Sequence, residues 1–284
     1  MDVPFRLVDV FTPTPLSGNQ LCVVTDPVGL DDATMQALAK EIGFSETTFV
    51  TQAAGDRYAM RIFTPDAELP FAGHPTLGTA FVLVSEGRVR SPGTQTTAAG
   101  EVPIEVDVAS NTAWMTQLAV EFRDVFEDRE LIARAIGLEP GDLEPDLPVR
   151  TVTTGLLWTI VPVRDAERLM RAQRDARALE EVVARSGDEG LYPFAVTQDG
   201  ATARMFDAGH GIGEDPATGS AAGPLGAYLA EHGLAGMPGS IVVRQGERVG
   251  RPSELHVEVR DEGGRWRVRV GGGVHVVGSG AFRL

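Results

Sequence analysis

The sequence of 284 residues has little of several residue types, and each shortage excludes a class of protein. The single cysteine, Cys22, cannot form an intrachain disulfide or a cysteine-rich metal site. No apolar stretch is long enough to span a bilayer, since runs such as Thr79–Val84 fall far short of the ~20 residues required. Met1–Arg6 lacks the basic and long apolar segments of a secretory signal, so we expect a cytoplasmic protein.

Positive charge is also scarce, with 25 Lys and Arg residues against 40 Asp and Glu residues and a formal net charge of −15. An electrostatic field of that sign repels phosphate groups, which argues against general nucleic-acid binding and against docking to anionic membranes. Apolar residues nevertheless make up 43% of the chain, which is close to an ordinary globular composition. We therefore expect a folded protein with no nucleic-acid or membrane partner.

Strands are predicted through most of the chain, and a few segments have helical periodicity. Apolar residues spaced as on one helix face predict a helix from Asp31 or Asp32 to about Ile42, ended by Gly43. A second, buried helix is predicted from Pro75, because proline suits the first helical position, where its missing N–H costs nothing.

The two halves of the chain repeat one pattern of motifs. Arg61–Phe63 matches Arg204–Phe206, and Gly73–Ala80 matches Glu214–Ala221 at a constant offset of 141 residues. Chance similarity between Gly- and Pro-rich loops is the alternative explanation, but several matches in the same order make it the weaker one. The sequence therefore predicts two copies of one strand-rich unit, each wrapped around one apolar helix.

The repeat gives His74 and Asp215 equivalent positions, each directly before a proline that is predicted to start a helix. In this interpretation residue 74 or 215 is the N-cap and the proline is the first helical residue. Each helix end presents unpaired backbone N–H groups and a positive dipole end. If both ends meet, they form an anion cradle that suits a small carboxylate. Gly73, Gly78 and Gly219 would permit the close approach of a ligand or another backbone.

Four polar side chains near this cradle are candidates for the chemistry. Glu46 lies between a helix and a strand, where it is either a solvated side chain or a general acid/base whose partial desolvation suits proton transfer. His74 either belongs to the helix start or donates a hydrogen bond and carries a proton. Asp215 is either an N-cap or part of the site. Ser220 lies outside any nucleophile-elbow pattern, so its hydroxyl is expected to bind substrate.

Sequence patterns for nucleotide and metal sites are incomplete or absent. Gly209–Gly213, which contains His210, has the wrong spacing for a dinucleotide fingerprint, and Gly213–Ser220 lacks the lysine of a phosphate loop. The chain has no His-Glu-x-x-His or paired-cysteine pattern. We therefore expect no metal site.

Several motifs together resemble those of one known family, the phenazine-biosynthesis PhzF-like isomerases. They are Pro15–Asn19, Ser45–Phe49, Arg61–Pro65, Glu68–Pro75, Glu214–Pro224 and Gly250–Ser253. The resemblance runs through nearly the whole chain and implies the diaminopimelate-epimerase fold. That is an α+β fold with two pseudo-symmetric domains, each a barrel-like, mostly antiparallel sheet around a central helix. We place the domains at 1–122 and 123–284, with a final strand that can cross back to the first domain.

The resemblance also implies the reaction. The epimerases of that superfamily use two cysteines at the helix ends, where this chain has His74 and Asp215, so two-thiol racemisation is excluded. The resemblance implies instead a cofactor-independent isomerase of phenazine (antibiotic) biosynthesis, in which Glu46 moves a proton from C3 to C1 of trans-2,3-dihydro-3-hydroxyanthranilate. It further implies a homodimer.

The predicted site has a catalytic group and a substrate-binding group of residues. The catalytic residues are Glu46, His74 and Asp215; the binding residues are Gly73, Pro75, Thr76, Thr218, Gly219 and Ser220. Two alternatives stay open: an isomerase or epimerase of another small carboxylate on the same scaffold, or a catalytically inactive binding protein. An inactive site would not need all four polar candidates, so their joint presence argues against it: Glu46, His74, Asp215 and Ser220.

Overall fold

The structure, a computed structural model, describes residues 1–97, 100–209 and 212–284. The strands of this part of the chain are β1 (Asp2–Val10), β2 (Asn19–Val24), β3 (Glu46–Ala54), β4 (Arg57–Phe63), β5 (Glu68–Leu69), β6 (Gly93–Thr97), β7 (Gly100–Asp107), β8 (Thr112–Thr116), β9 (Glu121–Val125), β10 (Arg150–Thr153), β11 (Leu157–Pro162), β12 (Gly190–Thr197), β13 (Gly200–Ala203), β14 (Phe206–Asp207), β15 (Gly239–Gln245), β16 (Ser253–Asp261) and β17 (Trp266–Arg283). The α-helices are α1 (Asp32–Ile42), α2 (Gly73–Ser85), α3 (Arg129–Ala135), α4 (Ala166–Arg171), α5 (Ala176–Ser186) and α6 (Gly219–Glu231). Short 3₁₀ turns lie at Pro140–Asp142 and Glu247–Val249.

Seven strands of the first half and the last strand of the chain, β17, close into a barrel. The pairing runs β1, β2, β3, β4, β6, β7, β8 and β17, and β17 returns to β1. The β2–β3 and β4–β6 pairs are parallel, and the other pairs of this ring are antiparallel. Helix α2 lies inside this barrel, with every residue from Gly73 to Leu83 buried.

The second half repeats the first seven positions of this pairing order. From β10 to β17 the neighbours are β10, β11, β12, β13, β15, β16 and β17, with parallel pairs at β11–β12 and β13–β15. Helix α6 is the central helix here, buried from Gly219 to Ala230. The two-fold repeat and the α+β fold class predicted from the sequence are thus confirmed.

The last strand belongs to both halves. Strand β17 pairs with β16 and β8 near its start and with β1 over the rest of its length, where Asp2 lies opposite Arg283. The predicted boundary between residues 122 and 123 falls within β9. The division at 1–122 and 123–284 stays a prediction.

The predicted starts of the two central helices are wrong by a few residues. Helix α2 begins at Gly73 with Ala72 as its N-cap, so His74 is its second residue and Pro75 its third. Proline fits there because none of the first four N–H groups of a helix has an intrahelical partner.

Helix α6 also begins later than predicted. Its first residue is Gly219 and its N-cap is Thr218, so Asp215 is not the N-cap and Pro216 precedes the helix. The hydroxyl of Thr218 donates to Oδ2 of Asp215 at 2.7 Å, which holds these residues in a turn before the helix.

The prediction for the first helix, α1, is confirmed. Helix α1 has the predicted N-cap, Asp31, which accepts from the backbone N–H of Thr34, and it ends at Gly43 in the left-handed conformation that favours glycine.

Cys22 is fully buried on β2, as expected of a small apolar residue, and burial raises the pKa of its thiol to about 12. No helix within the described ranges is long and apolar enough to cross a membrane.

A buried carboxyl in the second half predicts a pH-dependent stability. Asp188 accepts a hydrogen bond from Thr159, yet burial raises its pKa from 3.8 to about 6. The folded state therefore binds a proton more tightly than the unfolded state, so stability falls as the pH rises from about 4 to about 6. We expect Asp188→Asn to remove this contribution, on the order of 3 kcal/mol. The test is urea unfolding of both proteins at pH 4 and pH 7, and parallel pH curves would contradict it.

Candidate active site

The N-termini of α2 and α6 meet backbone to backbone between the two halves. A Cβ atom added to Gly73 would lie 2.7 Å from the backbone nitrogen of Ser220 and 2.8 Å from Cα of Gly219. Only glycine fits this approach at Gly73, as the sequence predicts. A Cβ added to Gly219 would instead meet the ring of Phe11 at 2.7 Å. Gly78 also lies in a close contact, but its neighbours are side chains, with Cδ2 of Leu21 at 2.6 Å from the added Cβ.

Both helix ends keep the positive electrostatic character that an anion site requires. Neither Ala72 nor Thr218, the two N-caps, makes a side-chain capping hydrogen bond, and neither helix has an acidic residue in its first turn. The first N–H groups of the two helices, at Gly73 and Gly219, therefore retain hydrogen-bonding capacity, and the helix dipoles point their positive ends at one place.

A small cavity lies where these ends meet. The predicted site residues that line it are Glu46, Gly73, His74, Asp215, Thr218, Gly219 and Ser220. Pro75 and Thr76 are not among the lining residues. Thr76 donates its hydroxyl to the carbonyl of Ala72 instead, and its own carbonyl accepts from Tyr58.

Glu46 and His74 lie side by side in this cavity. Glu46 begins β3, which pairs in parallel with β2 so that Glu46 lies opposite Leu21. Its carboxyl group is buried, with 8% of the residue exposed, and its Oε2 lies 3.4 Å from Nε2 of His74. Burial lowers the pKa of His74 to about 3, with a backbone contact at Gln20 acting in the opposite direction. The imidazole is therefore neutral at physiological pH.

Asp215 is linked to the other ring nitrogen of His74, Nδ1, through the side chain of Asn19. Both of its carboxylate oxygens accept hydrogen bonds. Its Oδ1 accepts from Nδ2 of Asn19 and from the hydroxyl of Ser45, both at 2.8 Å, and its Oδ2 accepts from Thr218 at 2.7 Å. Burial raises its pKa to about 6, while these hydrogen bonds act to lower it and the charge of Asp207 acts to raise it.

Several residues of the site were not predicted as functional. The further lining residues are Leu69, Ala72, Leu156, Trp158, Glu189, Met205, Asp207 and Ile212. Asn19 and Ser45 both donate hydrogen bonds to Asp215. Each belongs to a motif that resembles the PhzF-like family, so the resemblance could have pointed to them. Trp158 and Glu189 gave none, since they reach the cavity only through the fold of the second half.

The polar lining of the cavity is acidic. Glu46, Glu189, Asp207 and Asp215 contribute carboxyl groups, and no Lys or Arg within the described residues lines it. A bound carboxylate would therefore meet backbone N–H groups, and an amino group would meet carboxylates. His210 lies outside the described residues. In the part of the chain that is described, no three His, Cys, Asp or Glu side chains cluster as metal ligands.

Comparison with known proteins assigns the family. The family model described as a phenazine biosynthesis-like protein, PhzC-PhzF, matches residues 8–280. The chain belongs to this family. Among curated relatives of the PhzF family, an uncharacterized isomerase of Clostridium acetobutylicum is 34% identical, covering 95% of this chain and 94% of the relative. A trans-2,3-dihydro-3-hydroxyanthranilate isomerase of Pseudomonas fluorescens is 32% identical, covering 99% of each chain. The predicted enzyme class, an isomerase, is thereby confirmed.

Solved structures confirm the PhzF-family architecture. A phenazine biosynthesis protein of the PhzF family from Bacillus anthracis superimposes with a TM-score of 0.89 at 28% identity, covering 100% of both chains. A hydroxyproline epimerase of Agrobacterium vitis shares the fold at 14% identity, with a TM-score of 0.65 over 100% of this chain and 93% of the epimerase. The epimerase-type fold predicted from the sequence is therefore correct.

Proposed function

We propose that this PhzF-family isomerase moves a proton on a small carboxylic acid that also carries an amino group, with Glu46 as general acid/base. The observation that carries the proposal is a buried carboxyl group, Glu46, beside neutral His74 and next to two uncapped helix N-termini. A carboxylate in such a place can remove a proton from carbon and return it to another carbon.

The cavity supports a defined orientation of the substrate. The substrate carboxylate would lie at the N-termini of α2 and α6, where the N–H groups of Gly73 and Gly219 and the hydroxyl of Ser220 can donate to it. The amino group would face the acidic side chains, among them Asp215 and Asp207. Backbone donors suit this task because they are already oriented before the substrate arrives.

Trans-2,3-dihydro-3-hydroxyanthranilate, the substrate in the name of the Pseudomonas fluorescens relative, has the required groups. In the proposed reaction the Glu46 carboxylate takes the proton from C3, and the C–H electron pair moves into the ring diene. Protonated Glu46 then delivers this proton to C1, and the resulting enol at C3 tautomerises to a ketone. His74 donates a hydrogen bond rather than a proton, because it is neutral. The steps use only the substrate's own proton and require no cofactor.

The geometry is also compatible with another small carboxylate on this scaffold, and the inactive binding protein stays an alternative to be tested. Asp215 is held by three hydrogen bonds and Glu46 is buried beside His74, an arrangement that a site without catalysis does not require. The homodimer, the cytoplasmic location and the role in phenazine biosynthesis stay predictions.

The test is incubation of the purified protein with trans-2,3-dihydro-3-hydroxyanthranilate, followed by proton NMR of the ring signals. We expect these signals to disappear at a rate proportional to enzyme concentration. Binding can be followed separately by the intrinsic fluorescence of the three tryptophans, one of which, Trp158, lines the cavity. Binding without turnover would support the inactive protein, and the absence of both would contradict the substrate assignment.

A further inference from the structure

Two motifs that the proposed reaction does not use meet beside the site. The Pro15–Asn19 turn and the Gly250–Ser253 segment are joined by Arg251, whose guanidinium donates to the Asp9 carboxylate at 2.5 Å and to the carbonyl of Gly18 at 2.9 Å. The Asp9 side chain is almost fully buried, so this ion pair is shielded from solvent. The turn that precedes the first residue of β2 is thereby held in place.

That first residue, Asn19, lies at the centre of the site with 1% of its surface exposed. Its Nδ2 lies 2.8 Å from Oδ1 of Asp215, 2.9 Å from the carbonyl oxygen of Ala217 and 3.0 Å from Nδ1 of His74. Two of these three neighbours, the carboxylate and the carbonyl, can only accept. The amide must therefore turn its nitrogen toward them, since its oxygen would be repelled there.

This orientation favours one tautomer of His74. The amide nitrogen has two hydrogens for three neighbours and cannot accept, so Nδ1 of His74 shares a donor with Asp215 or Ala217. A proton on Nδ1 would face those hydrogens, so the single proton of the neutral imidazole is favoured on Nε2, although the backbone of Gln20 also interacts with the ring. Nε2 lies 3.4 Å from Oε2 of Glu46, and this contact does not have hydrogen-bond geometry.

We propose that Asn19 is a positioning residue that fixes the ring proton of His74 on Nε2 and directs it at Glu46. The same amide also binds Asp215, so one side chain from the first half orients the polar groups of both halves. If the contact between His74 and Glu46 shortens when substrate binds, the His74 N–H can donate to the Glu46 carboxylate. This catalytic consequence rests on the proposed function, whereas the tautomer itself does not.

The tautomer is measured directly by long-range proton–nitrogen NMR of the imidazole rings. The chain has 5 histidines, so the His74 signals are assigned by their loss in His74→Gln. For the wild type we expect a protonated Nε2 and an unprotonated Nδ1. A proton on Nδ1 in the wild type would overturn the proposal, and this outcome does not depend on any Asn19 variant folding.

Two variants of similar size test the role of the amide. Asn19→Leu removes the donor, and Asn19→Asp replaces it with acceptor oxygens, so we expect mixed tautomers in the first and a proton on Nδ1 in the second. For catalysis we expect Asn19→Leu to lower kcat on the order of 100-fold with a smaller change in KM. An Nε2–H spectrum retained in both variants would overturn the proposal. If the wild type converts no substrate, the tautomer spectra still decide on Asn19 while the proposed function fails.

Discussion

Replacing Glu46 by Gln is expected to abolish turnover while leaving substrate binding nearly unchanged. Gln has the same size and can remain beside His74, but its amide cannot take a proton from carbon at neutral pH. Acid–base catalysis by one positioned side chain typically contributes ~10²–10⁴-fold, so we expect kcat to fall on the order of 10³-fold. The measurements are initial rates by proton NMR and the dissociation constant from intrinsic tryptophan fluorescence.

Glu41→Gln is the matched control, because it makes the same substitution on the exposed surface of α1. It should leave both kcat and the dissociation constant unchanged. A Glu46→Gln protein with the kcat of the wild type would remove Glu46 from the mechanism. A variant that loses substrate binding as well as turnover would instead assign Glu46 to recognition.

We expect Gly73→Ala to disturb the site by displacing the backbone at the start of α6. The added Cβ would lie 2.7 Å from the nitrogen of Ser220 and 2.8 Å from Cα of Gly219, and a backbone that close has to move away. The two helix N-termini would separate, and the cradle for the substrate carboxylate would widen. We expect kcat/KM to fall on the order of 100-fold, since displacements near 1 Å have such effects. Overpacking should also cost about 1–3 kcal/mol of stability.

Gly141→Ala is the control for this change. Gly141 has no atom within 4 Å of an added Cβ, so its substitution should alter neither stability nor activity appreciably. Steady-state kinetics and urea unfolding of the two variants provide the comparison. Equal activity in Gly73→Ala and Gly141→Ala would show that the contact between the helix ends is unimportant for catalysis.

The repeat in the sequence was a sound guide to the fold and to the core of the site. The two units have the same order of strand pairs, and their central helices meet at Gly73 and Gly219. The offset of 141 residues is not kept at the helix starts, since His74 lies in α2 and Asp215 lies before α6. Such a repeat survives in one sequence because the same backbone contacts recur in both halves.

The first residues of α2 and α6 could not be predicted exactly from the sequence, and the reason lies in the local sequence. Proline is tolerated anywhere in the first helical turn, so Pro75 could not distinguish a start at residue 73 from one at residue 75. At Asp215 the turn is held by Thr218 and by long-range contacts to Asn19 and Ser45, which no local pattern contains.

Residues that reach the cavity from distant strands were the least predictable. Trp158 comes from β11 and Glu189 from the residue before β12, and these strands are brought together by a parallel pairing. Asn19 lay within a quoted motif, but its role depends on contacts with His74 and Asp215, which are 55 and 196 residues away. Only the folded chain shows such convergence.

The most direct test of the central claim, that Glu46 moves a proton between two carbons of the substrate, is a reaction in D₂O. Trans-2,3-dihydro-3-hydroxyanthranilate is incubated with the wild type and with Glu46→Gln, and the products are followed by proton NMR. We expect the wild type to consume the substrate, with some deuterium at C1 because protonated Glu46 can exchange with solvent, and the variant to leave the substrate intact. Equal consumption by both proteins, or none by folded wild-type protein, would contradict the account.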